Sequence, residues 1–305
     1  MVKKVKRIFI RRYKKTSLLR PGYVKYRIFF FCILAYLISW SSKFFISLHD
    51  TGRIGHDIPL GIFQLLAQFG PTIAGLIMIF ATAGRKGVYA LFKNLAHFQF
   101  HYKWYIFALF FELILFLVIV LSSDLFGSSP LLPGTKIWFV GLKDFILNTI
   151  ILSLLTGLGE EIGWRGFLLP RLQSRLSVLI SALGLAIIIS FWHLRTPDIG
   201  FLLNCDLQGF LSSFLPDMGL RILISVPATM VTVYLFNKTN GSLVIMILFH
   251  GASNASYEWV KGITGIADPV FTLPWFALML WLSSVFFVPA LIRQGTRNAI
   301  VTELS

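Results

Sequence analysis

Runs of about twenty apolar residues recur along this chain, and they constrain its fold more than any other feature. Of the 305 residues, 56% are hydrophobic and only 13% are charged, which is about half the charged share of a soluble domain. A soluble globule of this composition would expose large apolar patches, and a disordered chain needs low hydrophobicity. Two cysteines in a chain of this length exclude a disulfide-rich scaffold. The composition therefore predicts an all-α polytopic membrane protein.

The apolar runs predict about eight transmembrane helices, because roughly 20 such residues cross the hydrocarbon core. The predicted spans are 28–48, 58–82, 104–122, 137–158, 177–194, 219–236, 242–257 and 273–292. Polar segments, or segments with glycine and proline, separate them. No internal repeat is visible, so the repeat symmetry of many transporters is not indicated. A polytopic transporter or channel is the alternative from a different functional class.

Basic residues concentrate before the first predicted span. Residues 1–27 hold 11 of the 28 Lys and Arg residues and no acid. Next to a transmembrane helix, such a segment marks the cytoplasmic side and attracts anionic lipid. We therefore expect a basic cytoplasmic tail over 1–27, a membrane domain over 28–305, and both termini in the cytoplasm. A nucleic-acid partner is not expected, because no nucleic-acid-binding fold accompanies the basic residues.

The segment GEEIGWRG at 159–166 places ionisable side chains directly after an apolar run, where each needs a partner or a function. Adjacent residues on a helix point about 100° apart, so we expect that Glu160 and Glu161 do not share one partner. Glu161 and Arg165 are spaced i,i+4 and can pair on one face. Trp164 then lies one helical turn after Glu160. A buried carboxylate without a cation suits general-base chemistry. The alternative is an interfacial ion pair at a helix end.

Two histidines and an asparagine also stand out within the predicted spans. His193 ends the fifth span beside Trp192, where it is either a functional group or a side chain that reaches the membrane interface. His250 and Asn254 are spaced i,i+4, so an imidazole and an amide lie on one face and could hold a water or a substrate carbonyl. The alternative for this pair is a polar contact between helices.

Three further polar residues, Gln64, Gln68 and Glu112, lie inside predicted spans. The two glutamines are spaced i,i+4 in the second span, and Glu112 lies within FALFFELILF in the third. No motif accompanies them. We therefore expect them to make structural hydrogen bonds between helices.

The sequence GEEIGWRGFLLPRL resembles the first motif of the type II CAAX prenyl endopeptidases and their bacterial relatives, the CPBP or Abi family of intramembrane proteases. The second family motif is Phe, three residues and His, and here Ile189 holds the Phe position. The third motif is His, three residues and Asn or Asp. The resemblance covers about residues 140–256. The matching residues are Glu160, Glu161 and Arg165 for the first motif, His193 for the second, and His250 and Asn254 for the third.

The resemblance implies an all-α membrane fold of about eight spans around an intramembrane polar cavity that faces the cytosol. It implies an endopeptidase that hydrolyses a peptide bond of a membrane-associated or lipidated protein or peptide. A non-catalytic immunity or binding protein on the same fold is the alternative. By similarity, Glu160 with His193 would activate the attacking water, His250 with Asn254 would stabilise the oxyanion, and Glu161 with Arg165 would support the site.

Metal use is the last point on which the residues leave alternatives. The sequence has no HExxH helix, yet Glu160, His193 and His250 could together ligate Zn²⁺ and leave an open position. An amide such as that of Asn254 suits an oxyanion better than a metal. We therefore expect a metal-free glutamate mechanism, with zinc as the alternative. The expected location is the cell membrane in a bacterial host and the endoplasmic reticulum in a eukaryotic one.

Overall fold

The computed structural model describes residues 21–55, 57–122, 135–264 and 274–293. Helices are the regular secondary structure of these residues, with no β-strand among them, so the predicted all-α fold is confirmed. Two π-helical segments, Ser153–Gly157 and Ile162–Leu168, interrupt one helical stretch. The α-helices are α1 Pro21–Asp50, α2 Leu60–Leu95, α3 Tyr102–Ser122, α4 Thr135–Leu152, α5 Leu158–Glu161, α6 Leu169–Gln173, α7 Val178–Trp192, α8 Thr196–Leu203, α9 Leu207–Lys238, α10 Leu243–Thr264 and α11 Pro274–Val285.

Four helical stretches within the described residues are long and apolar enough to cross a membrane. They are Lys25–Asp50, Leu60–Leu95, Gly141–Gln173 and Leu207–Lys238. The helices α7 and α8 form a pair bent by 53°, which adds a fifth crossing if the pair is one broken span. The total of eight spans therefore stays a prediction. Most of the basic tail, residues 1–20, and the C-terminal residues 294–305 lie outside the described part of the chain.

Helices extend into several polar segments between the predicted spans. They cover 83–95 of the segment 83–103, 159–173 of the segment 159–176, and 196–203 with 207–218 of the segment 195–218. Hydropathy shows where an apolar run ends, but a helix continues as long as its backbone groups find partners. The start of α9 illustrates this, because the Asp206 carboxylate accepts a hydrogen bond from the backbone nitrogen of Gly209 at 2.8 Å. Such a cap lets α9 begin twelve residues before the predicted span.

Small residues let the glutamate-bearing helix approach its neighbours closely. A Cβ atom on Gly163 would lie 2.2 Å from the carbonyl oxygen of Pro71 in α2. A Cβ atom on Gly251 of α10 would lie 2.1 Å from the Ser153 hydroxyl oxygen. Small residues at helix interfaces allow backbones to pack this closely within a membrane. The stretch that carries Glu160 is thereby held between α2 and α10.

Replacing Gly163 by alanine is expected to destabilise the fold, because the new methyl group meets backbone atoms that cannot rotate away. Overpacking of this kind costs about 1–3 kcal/mol. Gly184→Ala is the matched control, since Gly184 is also helical and a Cβ atom there meets nothing within 4 Å. Thermal unfolding in detergent should show a lower midpoint for Gly163→Ala than for Gly184→Ala. Equal midpoints would show that this close approach does not limit stability.

Candidate active site

Glu160 lies buried in α5, and both of its carboxylate oxygens accept hydrogen bonds from neutral donors. Gln68 Nε2 in α2 donates to Oε1 at 2.6 Å, and Trp164 Nε1 donates to Oε2 at 3.2 Å. The buried Trp164 ring packs edge-on against Phe31 and Trp192, with centroids 5.5 and 5.7 Å away. The predicted interhelical hydrogen bond of Gln68 is therefore confirmed. Its acceptor is the proposed base, which the sequence did not indicate.

The predicted ion pair between Glu161 and Arg165 is formed. Arg165 Nη1 lies 2.7 Å from Glu161 Oε1, and both side chains are buried. Arg165 Nη2 also donates to the Thr232 hydroxyl in α9 at 2.9 Å. Breaking such a buried pair leaves an uncompensated charge and typically costs about 3–5 kcal/mol. This pair therefore holds the glutamate-bearing stretch in place and links it to α9.

His250 in α10 contacts both glutamates, so the expectation that they would not share a partner is wrong. Its Nδ1 atom lies 2.8 Å from Glu161 Oε1, and its Nε2 atom lies 3.7 Å from Glu160 Oε1. The two carboxylates do leave their helix in different directions. An imidazole from another helix can nevertheless serve both, because its two nitrogens lie on different sides of the ring.

The contacts of the His250 ring determine which of its two nitrogen atoms carries a proton. An ionised carboxylate only accepts hydrogen bonds, so Nδ1 donates to Glu161. In a neutral ring, the Nε2 lone pair would then face a Glu160 oxygen, and two acceptors repel each other unless a proton lies between them. The contact between Glu160 and His250 is thus suited to hold a shared proton, which general acid–base chemistry requires.

Asn254 follows His250 by one helical turn, and a hydroxyl group orients its amide. Asn254 Nδ2 donates to Thr156 Oγ1 at 2.8 Å, while that hydroxyl donates to the carbonyl oxygen of Leu152 at 2.7 Å. Because the single hydroxyl proton is used on the carbonyl, the amide nitrogen must face Thr156. The second N–H of Asn254 remains for another acceptor. Thr156 was missed by the sequence analysis, and its signal was a threonine within an apolar span.

His193 lies at the C-terminal end of α7, and the structure does not bring it into direct contact with Glu160. Within the described residues, no hydrogen bond or ion pair joins the two side chains. His193 Nδ1 lies 2.8 Å from the carbonyl oxygen of Ile189, so Nδ1 carries a proton and a neutral ring has its lone pair on Nε2. The Trp192 ring packs against His193, with centroids 4.8 Å apart, and also against Trp164. Aromatic rings thus connect the two predicted catalytic residues.

The alternative zinc site is not assembled in this arrangement. In the described part of the chain, no three His, Cys, Asp or Glu side chains are grouped so that they could hold a metal ion. The hydrogen bonds on Nδ1 of His193 and of His250 do resemble those that orient metal-ligating histidines. Glu160, His193 and His250 are not brought together here as the three ligands that a catalytic zinc takes.

Glu112 and Gln64, the other polar residues noted in the predicted spans, make no hydrogen bond to Glu160 among the described residues. Ser253 in α10 donates a hydrogen bond to Glu112 Oε2 in α3, which confirms the predicted contact between helices. Gln64 in α2 is exposed, one turn before Gln68. Among the described residues, the hydrogen-bond and ion-pair partners of Glu160 come from α2, α10 and its own helical stretch.

The central part of the chain is similar to known proteins. Residues 142–256 match the family model described as type II CAAX prenyl endopeptidase Rce1-like. The predicted resemblance to the CPBP family is confirmed. CAAX prenyl protease 2 of Methanococcus maripaludis is 28% identical over 116 residues, which cover 38% of this chain and 41% of that protein. The chain thus matches about two fifths of the length of this curated relative.

The matched segment contains all six matching motif residues, from the glutamate pair to Asn254. Several apolar helices surround it, and the chain is an integral multi-pass membrane protein. Two side chains that contact this segment, Gln68 on Glu160 and Lys43 on Trp192, come from helices before residue 142.

Proposed function

We propose that this protein is an intramembrane endopeptidase that hydrolyses a peptide bond of a membrane-associated or lipidated protein or peptide. The observation that carries the proposal is the imidazole of His250 between two buried carboxylates, with Asn254 one turn away. The name of the Methanococcus relative supports a protease, and it favours a prenylated substrate with a CAAX ending. An apolar bundle that encloses buried carboxylates suits a substrate that reaches the site from the membrane.

In the proposed mechanism, Glu160 is the general base. It takes a proton from a water molecule, and the water oxygen bonds to the carbonyl carbon of the scissile peptide. The carbonyl oxygen then carries negative charge, which the free N–H of Asn254 and the Nε2 proton of His250 stabilise. Glu160 returns its proton to the peptide nitrogen as the C–N bond breaks. The products are a carboxylic acid and an amine.

The other residues support this chemistry. With Nδ1 protonated, neutral His193 presents an Nε2 lone pair that can accept a hydrogen bond from the attacking water. Gln68 and Trp164 are neutral donors, and their hydrogen bonds orient the Glu160 carboxylate. Glu161 holds the Nδ1 proton of His250, while Arg165 compensates the charge of Glu161.

Glu160→Gln is expected to abolish most of the activity while the fold remains intact, because glutamine keeps the shape but cannot accept the proton. Loss of a general base lowers the rate by roughly 10²–10⁴-fold. The assay uses purified protein with a prenylated peptide ending in a CAAX sequence, and kcat and thermal unfolding are both measured. Glu258→Gln is the matched control, since that glutamate is exposed on α10 and pairs only loosely with Lys261, at 3.7 Å.

Arg165→Ala provides a contrast in the same assay. It leaves Glu161 buried without its cation, so stability and activity should fall together. Near wild-type turnover of Glu160→Gln would contradict the assignment of the base. Cleavage of a peptide without the prenyl group at an equal rate would contradict the lipidated substrate but not the peptidase chemistry.

We further propose that hydrolysis needs no bound metal. The separated positions of Glu160, His193 and His250 support this, as does the use of Asn254 as an oxyanion donor. Active protein should contain less than about one zinc ion per ten molecules, since a catalytic metal is expected at one per site. Metal analysis and assays with a strong chelator test this. Stoichiometric zinc, with activity lost to the chelator and restored by zinc, would make the histidines ligands.

The proposed orientation places both termini in the cytoplasm and the basic segment around Lys93 on the same side. The motive is the concentration of Lys and Arg before the first span and after the second. Single cysteines at residues 5, 93 and 300 should react with an impermeant reagent only after the membrane is opened. A cysteine at residue 52, between α1 and α2, should react from outside. The opposite labelling pattern would invert the topology.

A further inference from the structure

Lys43 of α1 contacts the backbone on both sides of His193, the proposed catalytic histidine. Lys43 Nζ donates to the carbonyl oxygen of Trp192 at 3.2 Å and to that of Leu194 at 3.0 Å. These are the carbonyls of the residues directly before and after His193. The same ammonium group lies 4.9 Å from the centre of the Trp192 ring. One cation thus fixes the backbone on both sides of His193.

Other side chains on the same face of α1 reach the same turn. The Tyr36 hydroxyl donates to the carbonyl oxygen of Ile188 at 2.6 Å, and Trp40 Nε1 donates to that of Trp192 at 3.2 Å. The Trp192 ring nitrogen donates in turn to the Ser39 hydroxyl at 2.8 Å. Spacings of three, four and seven residues place these side chains on one helix face. We call this set the α1 clamp: Tyr36, Ser39, Trp40 and Lys43.

The end of α7 needs such donors. The last carbonyl groups of a helix have no partner within it, and their partial negative charge favours a nearby cation. Inside a membrane, water is not at hand to supply hydrogen bonds. The backbone nitrogens of residues 193 and 194 donate hydrogen bonds to the carbonyl oxygens of Ile189, Ser190 and Phe191. The α1 clamp supplies donors to the next carbonyls, those of Trp192 and Leu194.

We propose that Lys43 is a positioning residue for His193: it holds the end of α7 so that the imidazole presents Nε2 to the reacting water. For its effect on hydrolysis, this inference rests on the proposed function. A lysine within a membrane span costs free energy unless it has partners or a function. The hydrogen bonds of Lys43 to the carbonyl oxygens on both sides of His193 indicate that function. Because α1 precedes the segment that matches the family, the matched segment alone is incomplete as a catalytic unit.

The first test measures hydrolysis by Lys43→Met, which keeps the chain length but removes the donors and the charge. A misplaced catalytic group costs about 10- to 100-fold in rate, so kcat should fall by that factor while KM and the unfolding midpoint change little. Lys43→Arg should recover most of the rate, because it keeps a cation and donors. Lys86→Met is the matched control, since Lys86 is an exposed lysine on the neighbouring helix α2. Its kcat should equal that of the wild type.

The second test needs no substrate. Hydrogen exchange of the peptides that cover 186–195 should become about tenfold faster in Lys43→Met, because the end of α7 opens more often, while exchange elsewhere stays the same. If Lys43→Met fails to fold, Trp40→Phe removes one donor to Trp192 and should show a smaller effect in the same direction.

The outcomes separate the two proposals. Inactive wild-type protein would contradict the proposed function, and the exchange rates would still decide whether Lys43 holds the end of α7. Unchanged exchange in Lys43→Met would overturn the positioning role. Faster exchange with an unchanged kcat in an active enzyme would also overturn it, because the position of His193 would then not matter for hydrolysis.

Discussion

Burial of ionisable groups inside an apolar helix bundle is the constraint on which the rest of this structure depends. A charge in such a place is retained only where another part of the chain offers an opposite charge or hydrogen bonds. Glu161 has Arg165 and His250, and Lys43 has the carbonyl oxygens of Trp192 and Leu194. Each of these contacts joins separate turns or separate helices. The polar groups of the site therefore also determine how the helices around it are arranged.

The backbone around Glu160 is shaped to allow these contacts. Two π-helical segments flank the short helix that carries the glutamates, and such segments often occur at functional sites. A wider turn leaves carbonyl groups that need other donors, and the Thr72 hydroxyl of α2 serves the carbonyl oxygen of Leu158 at 2.7 Å. The close approach at Gly163 brings α2 near enough for this bond and for that of Gln68. Local helix geometry and helix packing thus act together to present the glutamate pair.

Both histidines are oriented by a hydrogen bond at Nδ1, but the acceptor differs between them. Each has its Nδ1 atom on an oxygen, which belongs to the backbone for His193 and to Glu161 for His250. This leaves Nε2 of both rings for the proposed chemistry, and the partner of Nδ1 determines the tautomer of a neutral ring. Helices outside the matched segment complete the arrangement, since Gln68 orients Glu160 and the α1 clamp holds the end of α7.

The sequence by itself determined the fold class and the candidate residues of the site. Apolar runs predicted membrane helices, and the spacing of Glu161 and Arg165 predicted their ion pair, because both depend only on local periodicity. Only the tertiary structure decided which helices meet. It placed His250 rather than His193 beside Glu160, and it showed that Gln68 donates a hydrogen bond to the proposed base, Glu160. Spacing along one helix determines which side chains share a face, whereas contacts between helices depend on the close approach of backbones at small residues and on where buried polar groups find partners.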